Sequence, residues 1–360
     1  MKKIYLTVGP SQLYPTVHKY VLNALKEDIL SMSHTGERFQ KFYREVSRNL
    51  RLLLNIPSGH HIFLVSSSTE SMERIIANTV YESSMHLITG AFGQKFYKIA
   101  LDLKKKPIPI EVSDNSSFNF SDLVIPNNIE LLCITENDTS TGMRLPLENL
   151  DIVKKNNPNL LIAVDIVSSA PYSNLDYSTV DIAFFSGQKG FGLPAGLGIL
   201  IANDAAIEKA FHLKKRDISV GSNHHSFLNL VEREKKFIMP GTPNVFCIYL
   251  FCKVVEDLLS VGLGNIRRGT EIKAKLLYDY FDSHPRYKTV VKDPYRSFTT
   301  VVIDVKGESK MLVEKLKQKG LIISAGFRPN EENYIRIANF PAHKIEYIRR
   351  LINNLSDIST

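Results

Sequence analysis

The stretch VDIAFFSGQKGFGLPAGLGILI, Val180 to Ile201, decides how the rest of the chain is read. It opens with the apolar run VDIAFF and closes with LGILI, both rich in strand-forming residues. Between them lies a glycine-rich loop carrying a single lysine, Lys189. Runs that are apolar at nearly every position predict strands buried on both faces. A phosphate-binding P-loop needs Lys followed by Ser or Thr at the start of a helix. Here Gly190 follows Lys189, and Gly192-Leu193-Pro194 opens no helix, which also excludes a dinucleotide fingerprint. Lys189 therefore sits in a loop between two strands, either as a solvated turn residue or as a working group.

Further runs of the same kind flank this stretch: HIFLV (His61–Val65), MHLIT (Met85–Thr89), IELLCIT (Ile129–Thr135) and LLIAVDI (Leu160–Ile166). Helical periodicity recurs between the runs, near 37–54, 70–80, 94–103, 147–155 and 204–212. Apolar strands alternating with helices predict an α/β fold with a mostly parallel sheet covered on both faces. After Gly264 a long amphipathic stretch over 265–281 leads into SFTTVVIDV, a helix over 308–319, LIIS, NYIRIA and a last helix from Ala342. That order predicts a smaller α+β unit. Open α/β sheets bind ligands beyond the carboxyl ends of their strands, so those ends deserve the closest reading.

Composition narrows the function classes. A chain of 360 residues with 44% hydrophobic content can bury a large core. Its net charge of +8 is spread over short scattered clusters, without the aromatic interleaving of a nucleic-acid groove. Cys133, Cys247 and Cys252 lie in apolar runs with no paired spacing, which argues against zinc or any other metal, and against disulfides. No apolar segment is long enough to span a membrane, and the apolar run before Gly9-Pro10 is too short for a signal peptide. A cytoplasmic protein is expected.

Four strand ends carry chemistry. LLIAVDI ends at Asp165, which reads either as a turn residue or as a carboxylate awaiting a cation. IELLCIT runs into ENDTSTG, where Thr139 offers a hydroxyl. HIFLV runs into SSSTESM, whose Ser68 and Thr69 open a helix and suit either a cap or an anion. MHLIT runs into GAFGQKF, with Phe92 among small residues. Each has an ordinary reading alone. Together they match one ligand, with an anion, a flat ring, a basic ring nitrogen, an oxygen and a carbonyl that a lysine can capture. That ligand is pyridoxal phosphate, whose sites pair a lysine with an acidic partner for the pyridine nitrogen.

NDTSTG (Asn137–Gly142), VDIVSS (Val164–Ser169) and SGQKGFGLPAGL (Ser186–Leu197), in this order, resemble the class V, fold-type I pyridoxal phosphate aminotransferases, most of all their phosphoserine-using branch. The resemblance runs from LTVGPSQLYP to YIRIANFP, nearly the whole chain. It implies a cofactor-binding domain over 16–262 and a small domain over 263–360 that residues 1–15 join. It implies that Lys189 holds the cofactor, Asp165 faces the ring nitrogen, Thr139 the ring oxygen, and that Phe92 stacks on the ring. Ser68, Thr69 and Gln188 would take the phosphate, completed by Gly241 and Thr242 of PGTPNVF from a second subunit, hence a homodimer. Arg336 would grip the substrate α-carboxylate; His34 and Arg328 would meet a substrate phosphate. Where the family has arginine after that histidine, this chain has Thr35.

The implied reaction is transfer of the amino group of phosphoserine to 2-oxoglutarate, a step of serine biosynthesis. The competing reading is a class V enzyme using alanine or serine with glyoxylate or pyruvate. A cysteine desulfurase needs a cysteine on a mobile loop, which these apolar-run cysteines do not provide. A non-catalytic cofactor-binding regulator would be expected to carry a basic DNA-binding segment, and none is visible.

Overall fold

In the computed structural model of this chain the buried strands assemble into a seven-stranded sheet, and three smaller sheets stand beside it. The structure describes residues 3–113, 118–216, 218, 222 and 224–359. In chain order the strands are β1 Ile4–Tyr5, β2 His60–Val65, β3 Ser83–Ile88, β4 Lys106–Glu111, β5 Leu131–Thr135, β6 Asn137–Asp138, β7 Met143–Arg144, β8 Leu161–Asp165, β9 Ile182–Ser186 and β10 Gly198–Asn203, then β11 Lys288–Thr289, β12 Thr300–Asp304, β13 Leu321–Ile322, β14 Ser324–Ala325 and β15 Tyr334–Ala338. The α-helices are α1 Val17–Lys26, α2 Glu37–Leu54, α3 Ser68–Thr79, α4 Ala91–Asp102, α5 Leu150–Asn156, α6 Asp204–Lys215, α7 Phe227–Glu234, α8 Val245–Val261, α9 Leu263–Ser283, α10 Ser309–Gln318 and α11 Ile345–Ser359.

The large sheet runs β2-β10-β9-β8-β5-β3-β4, and β10 alone is antiparallel to its neighbours. The chain is thus the mostly parallel α/β fold that the strand–helix alternation predicts. Side chains alternate between two cores with a period of two. Phe184 points toward α4, with its ring centroid 5.7 Å from Phe96, while Phe185 points the other way and stacks on Phe191 at 4.9 Å. Because both faces are covered, every position of β9 is apolar up to Ser186, where the chain leaves the core.

Among the elements that escape the reading of apolar runs, β4 and α8 have clear reasons. β4 is KPIPIE, and its two prolines disguise it; it forms the sheet edge beside β3, where missing N–H groups cost least. α8 is apolar at too many positions to show a stripe. It packs against α2 with Cys247, Cys252, Leu250 and Phe251 buried.

A second core forms around the antiparallel sheet β11-β12-β15-β14 and helices α9, α10 and α11. β1 pairs in parallel with β13, and Ile4 and Leu6 are buried in this core. The first described residues therefore belong with elements more than three hundred positions later, before the chain turns toward the large sheet at Gly9-Pro10. Among the described residues no helix is long and apolar enough to cross a membrane. The three cysteines are free and buried.

Candidate active site

The carboxyl ends of β2, β3, β5, β8 and β9 open on one edge of the large sheet. The loop that leaves β9 carries Lys189, and its tight path explains the glycine that follows. A Cβ on Gly190 would lie 1.9 Å from the carbonyl oxygen of Ala170, in the segment after β8. The N–H of Ser11 donates to the carbonyl of Gln188 at 3.1 Å, so the segment after β1 ties down the same loop. Gly9, at φ +139°, leans over the lysine, and a Cβ there would stand 3.0 Å from Lys189 Cε. Only glycine takes that backbone conformation readily.

Lys189 is 7% exposed. Its Nζ donates to Ser168 Oγ at 2.9 Å and to Thr139 Oγ1 at 3.3 Å, and lies 5.0 Å from the centroid of the Phe92 ring. Burial pushes its pKa down, with Arg336 adding to the effect and Asp165 and Asp138 opposing it. A buried amine that sheds its proton more easily is a better nucleophile. Asp165 closes β8, also buried, and accepts from the N–H of Val167 at 2.8 Å. Burial pushes its pKa up; the Val167 N–H and Lys189 oppose the rise, while Asp138 and Glu136 add to it. A carboxyl so placed gains from a cationic ligand atom that restores its charge.

Phe92 is positioned from beneath. Gly90 offers no side chain to cap α4, and Asp138, fully buried, does so from another part of the chain. Asp138 Oδ2 accepts from the N–H groups of Phe92 at 2.8 Å and Gly93 at 3.3 Å. Its Oδ1 accepts from Ser140 N–H at 2.9 Å and Ser140 Oγ at 2.6 Å, and that hydroxyl in turn accepts from Ala91 N–H at 2.9 Å.

The opposite wall is the start of α3. Ser67 is its cap and accepts from Glu70 N–H at 3.2 Å, Ser68 N–H donates to Ser186 Oγ at 3.1 Å, and Lys95 Nζ donates to Thr69 Oγ1 at 2.9 Å. These groups enclose a cavity of about 310 Å³, lined by Ser68, Thr69, Phe92, Asp165, Gln188 and Lys189 among others. The set fits pyridoxal phosphate: a helix start for an anion, an aromatic face for a ring, a buried carboxyl for a cationic nitrogen and an enclosed amine for an aldehyde.

Arg336, on β15, donates from Nε to Ala325 O at 2.8 Å and from a terminal nitrogen to Thr139 O at 3.2 Å. Its guanidinium lies 5.5 Å from the Phe327 ring, which is 6.1 Å from Phe92. It thus joins the rim of the site. The other expected residues lie outside this chain's lysine cavity, as is expected of Gly241 and Thr242 if they serve a second subunit. Gly241 and Thr242 line a neighbouring cavity of about 370 Å³ that shares only Ser66 and Gly196 with the first. His34 lies in the turn before α2 and does not line the lysine cavity. Arg328 is exposed and pairs with Glu331 at 3.1 Å.

The structure also adds residues that the sequence reading leaves unassigned. Ser168 and Asp138 fall inside the quoted motifs, so their signal was at hand. Lys95 stands three positions after Phe92, one helical turn along the same face. Ser186 and Gly9-Pro10 also fall inside quoted stretches, SGQKGFGLPAGL and LTVGPSQLYP, but their place at the site shows only in the fold.

Comparison with known proteins agrees with this geometry. The Aminotransferase class-V family profile matches residues 7–337. A crystal structure of a phosphoserine aminotransferase from Cytophaga hutchinsonii superposes with a TM-score of 0.95 at 38% identity, covering 99% of this chain and 98% of that one. A phosphoserine aminotransferase of Bacillus cereus is 25% identical over 99% of this chain and 98% of its own length. An alanine–glyoxylate aminotransferase from Nostoc shares the fold, with a TM-score of 0.85 at 20% identity over 100% of this chain and 96% of its own. With its lysine, carboxylate and aromatic wall gathered at the mouth of a parallel sheet, this chain belongs to the class V aminotransferases.

Proposed function

We propose that this enzyme is a pyridoxal phosphate-dependent transaminase that moves the amino group of phosphoserine to 2-oxoglutarate. The observation that carries the reading is the enclosed Lys189 amine between Asp165 and Phe92, at 5.0 Å from the Phe92 ring. Similarity to phosphoserine aminotransferases over almost the whole chain supports the choice of donor.

When bound, the cofactor supplies an electron-withdrawing ring that stabilises negative charge at the substrate α-carbon. Lys189 is the residue that would hold its aldehyde. The Lys189 amine, bonded to Ser168 and Thr139, is the group that would carry the α-proton. Asp165 would keep the ring nitrogen protonated, and Thr139 would serve the ring oxygen. Phe92, held in place by Asp138, would cover one ring face. Ser68, Thr69 and Gln188 receive the cofactor phosphate at the positive end of α3. Arg336 binds the α-carboxylate through its planar fork.

Gly241 and Thr242 are assigned to the phosphate site of a second copy, which makes the working unit a homodimer. That they line a separate cavity beside this chain's lysine cavity supports that assignment. Residues 16–262 are assigned to the cofactor-binding domain and 263–360 to the small one, with residues 1–15 joining the latter. Free, buried thiols support a cytoplasmic enzyme.

A second reading, alanine or serine as donor with glyoxylate as acceptor, is favoured by Thr35 and by the surface pairing of Arg328. The test compares kcat/KM for phosphoserine, serine and alanine with 2-oxoglutarate and with glyoxylate. Phosphoserine with 2-oxoglutarate is expected to lead. A clear lead for alanine or serine with glyoxylate transfers the assignment to the second reading. Borohydride reduction followed by peptide mapping is expected to find the cofactor on Lys189, and Lys189→Ala to abolish turnover; label on another lysine overturns the site.

A further inference from the structure

A second cavity, of about 460 Å³, opens where the large sheet meets α9. Glu136, just before β6, and Arg144, on β7, form one wall. Tyr172 and Asn174, after β8, form another, and Arg267 and Glu271 of α9 close it. It shares no lining residue with the lysine cavity. The two are nevertheless close neighbours. The Glu136 N–H donates to Asp165 O at 3.1 Å, and the Glu136 carboxyl accepts from Ser169 Oγ, next in sequence to the Ser168 that receives Lys189.

Both arginines of this cavity lack a carboxylate partner among the described residues. Arg267 donates to neutral oxygens only: from Nε to Tyr172 O at 2.9 Å, and from a terminal nitrogen to Ser173 O at 2.8 Å and Asn174 Oδ1 at 3.0 Å. Arg144 Nε is buried with no hydrogen-bond partner among the described residues, and its guanidinium lies 5.5 Å from the centroid of the Phe298 ring. Glu136 is buried at 3% exposure. Burial pushes its pKa up, while Ser169 and the two arginines oppose the rise. Buried charge that meets no partner is costly. A molecule that bridges these groups would relieve that cost.

The signs in the lining select the ligand. Five carboxylates, of Glu136, Glu148, Asp151, Asp176 and Glu271, stand against two arginines, an excess that repels a simple anion. A simple amine would leave the arginines unmatched. Among the described residues no three of these carboxylates converge closely enough to share a metal ion. We propose that this cavity binds a basic α-amino acid, with its α-carboxylate on Arg144 and Arg267, its α-ammonium at Glu136 and its side-chain cation toward Glu148 and Glu271. The arginine fork suits a carboxylate by two parallel bonds. Glu148 and Glu271 are exposed, so the far cation sits at the open mouth. This site is separate from the transamination site and does not depend on the amino donor assigned above.

Equilibrium dialysis of the cofactor-loaded enzyme against labelled L-arginine tests the site. Competitors are agmatine, which lacks the carboxylate, and L-citrulline, which lacks the side-chain charge. One L-arginine per chain is expected, with both competitors about tenfold weaker. O-phospho-L-serine should not displace it. Arg144→Gln should weaken L-arginine about tenfold and leave transamination in the absence of arginine as in the wild type. Agmatine that binds as well as L-arginine overturns the role of the arginine pair, whether or not Arg144→Gln folds. L-citrulline that binds as well overturns the basic class. Displacement by phosphoserine places the ligand in the lysine cavity and overturns the proposal. So does the lack of saturable binding, the result expected if a second copy fills this cavity. Saturable L-arginine binding in an enzyme that does not transaminate phosphoserine overturns the donor assignment alone.

Discussion

Replacing Asp138 by asparagine exchanges one buried oxygen for an amide and keeps the shape. In the native protein the carboxylate accepts four hydrogen bonds, from Phe92 N–H, Gly93 N–H, Ser140 N–H and Ser140 Oγ. Asparagine's remaining oxygen satisfies one side. Turned toward α4, it keeps the Phe92 and Gly93 donors, and the new amide donates to the Ser140 hydroxyl. The N–H of Ser140 is then left buried without an acceptor, at about 1–3 kcal/mol. The negative charge at the start of α4 is lost as well, at about 1 kcal/mol. The expected loss is about 2–4 kcal/mol. With an unfolding entropy of about 2.1 cal/mol/K per residue over 360 residues, the thermal midpoint of the cofactor-free protein should fall by about 3–5 °C. Calorimetry measures it directly. Because Phe92 moves with this cap, cofactor affinity should fall too. A variant that melts within 1 °C of the wild type and binds cofactor equally well would show that the cap neither stabilises α4 nor positions the ring.

Thr242→Val should weaken retention of pyridoxal phosphate while leaving the Lys189 linkage intact, and sedimentation should show the same dimer; a fully active monomer removes the cross-subunit assignment. His86, on β3, is buried against Phe96 and Tyr97, and burial lowers its pKa to about 3. The unfolded chain then binds a proton below about pH 6.5 that the native state refuses, so stability is held above that pH and lost as pH falls. This one group should cost about 2 kcal/mol between pH 7 and pH 5. Urea unfolding at the two pH values should find that loss reduced by the same amount in His86→Leu, and an unchanged pH dependence would mean that His86 takes up its proton in the native state.

The parallel sheet was legible because its strands carry no solvent face: IELLCIT and VDIAFF announce burial on both sides without any partner being known. What stayed hidden has physical causes. Pro107 and Pro109 argue against a strand unless one knows that β4 lies at an edge, and edge position is a property of the assembled sheet. The apolar residues of α8 surround the helix, so its period fades. In the site, Lys189, Asp165, Thr139 and Phe92 could be read because each follows a strand whose end is marked in the sequence. Lys95 follows the same strand end as Phe92, in GAFGQKF, but nothing there marks its contact. Its approach to Thr69 depends on how α4 packs beside α3, a packing set by side chains from across the core. Thr242 and His34 had matched positions but line no part of this chain's lysine cavity, and position alone does not say which copy a residue serves.

The pairing of β1 with β13 bears on how the enzyme comes into being. Residues 4–10 leave the ribosome some three hundred positions before the strand they join, Leu321–Ile322. At roughly 5–20 residues per second, the nascent chain waits on the order of tens of seconds with that segment unpaired. Gly9, which covers Lys189, cannot be anchored from that side during the wait. The large sheet can form while translation proceeds, but its lysine remains uncovered. Completion of the catalytic pocket therefore waits for Leu321–Ile322 to be made, and a truncated chain ending before residue 321 would carry Lys189 without the lid that encloses it.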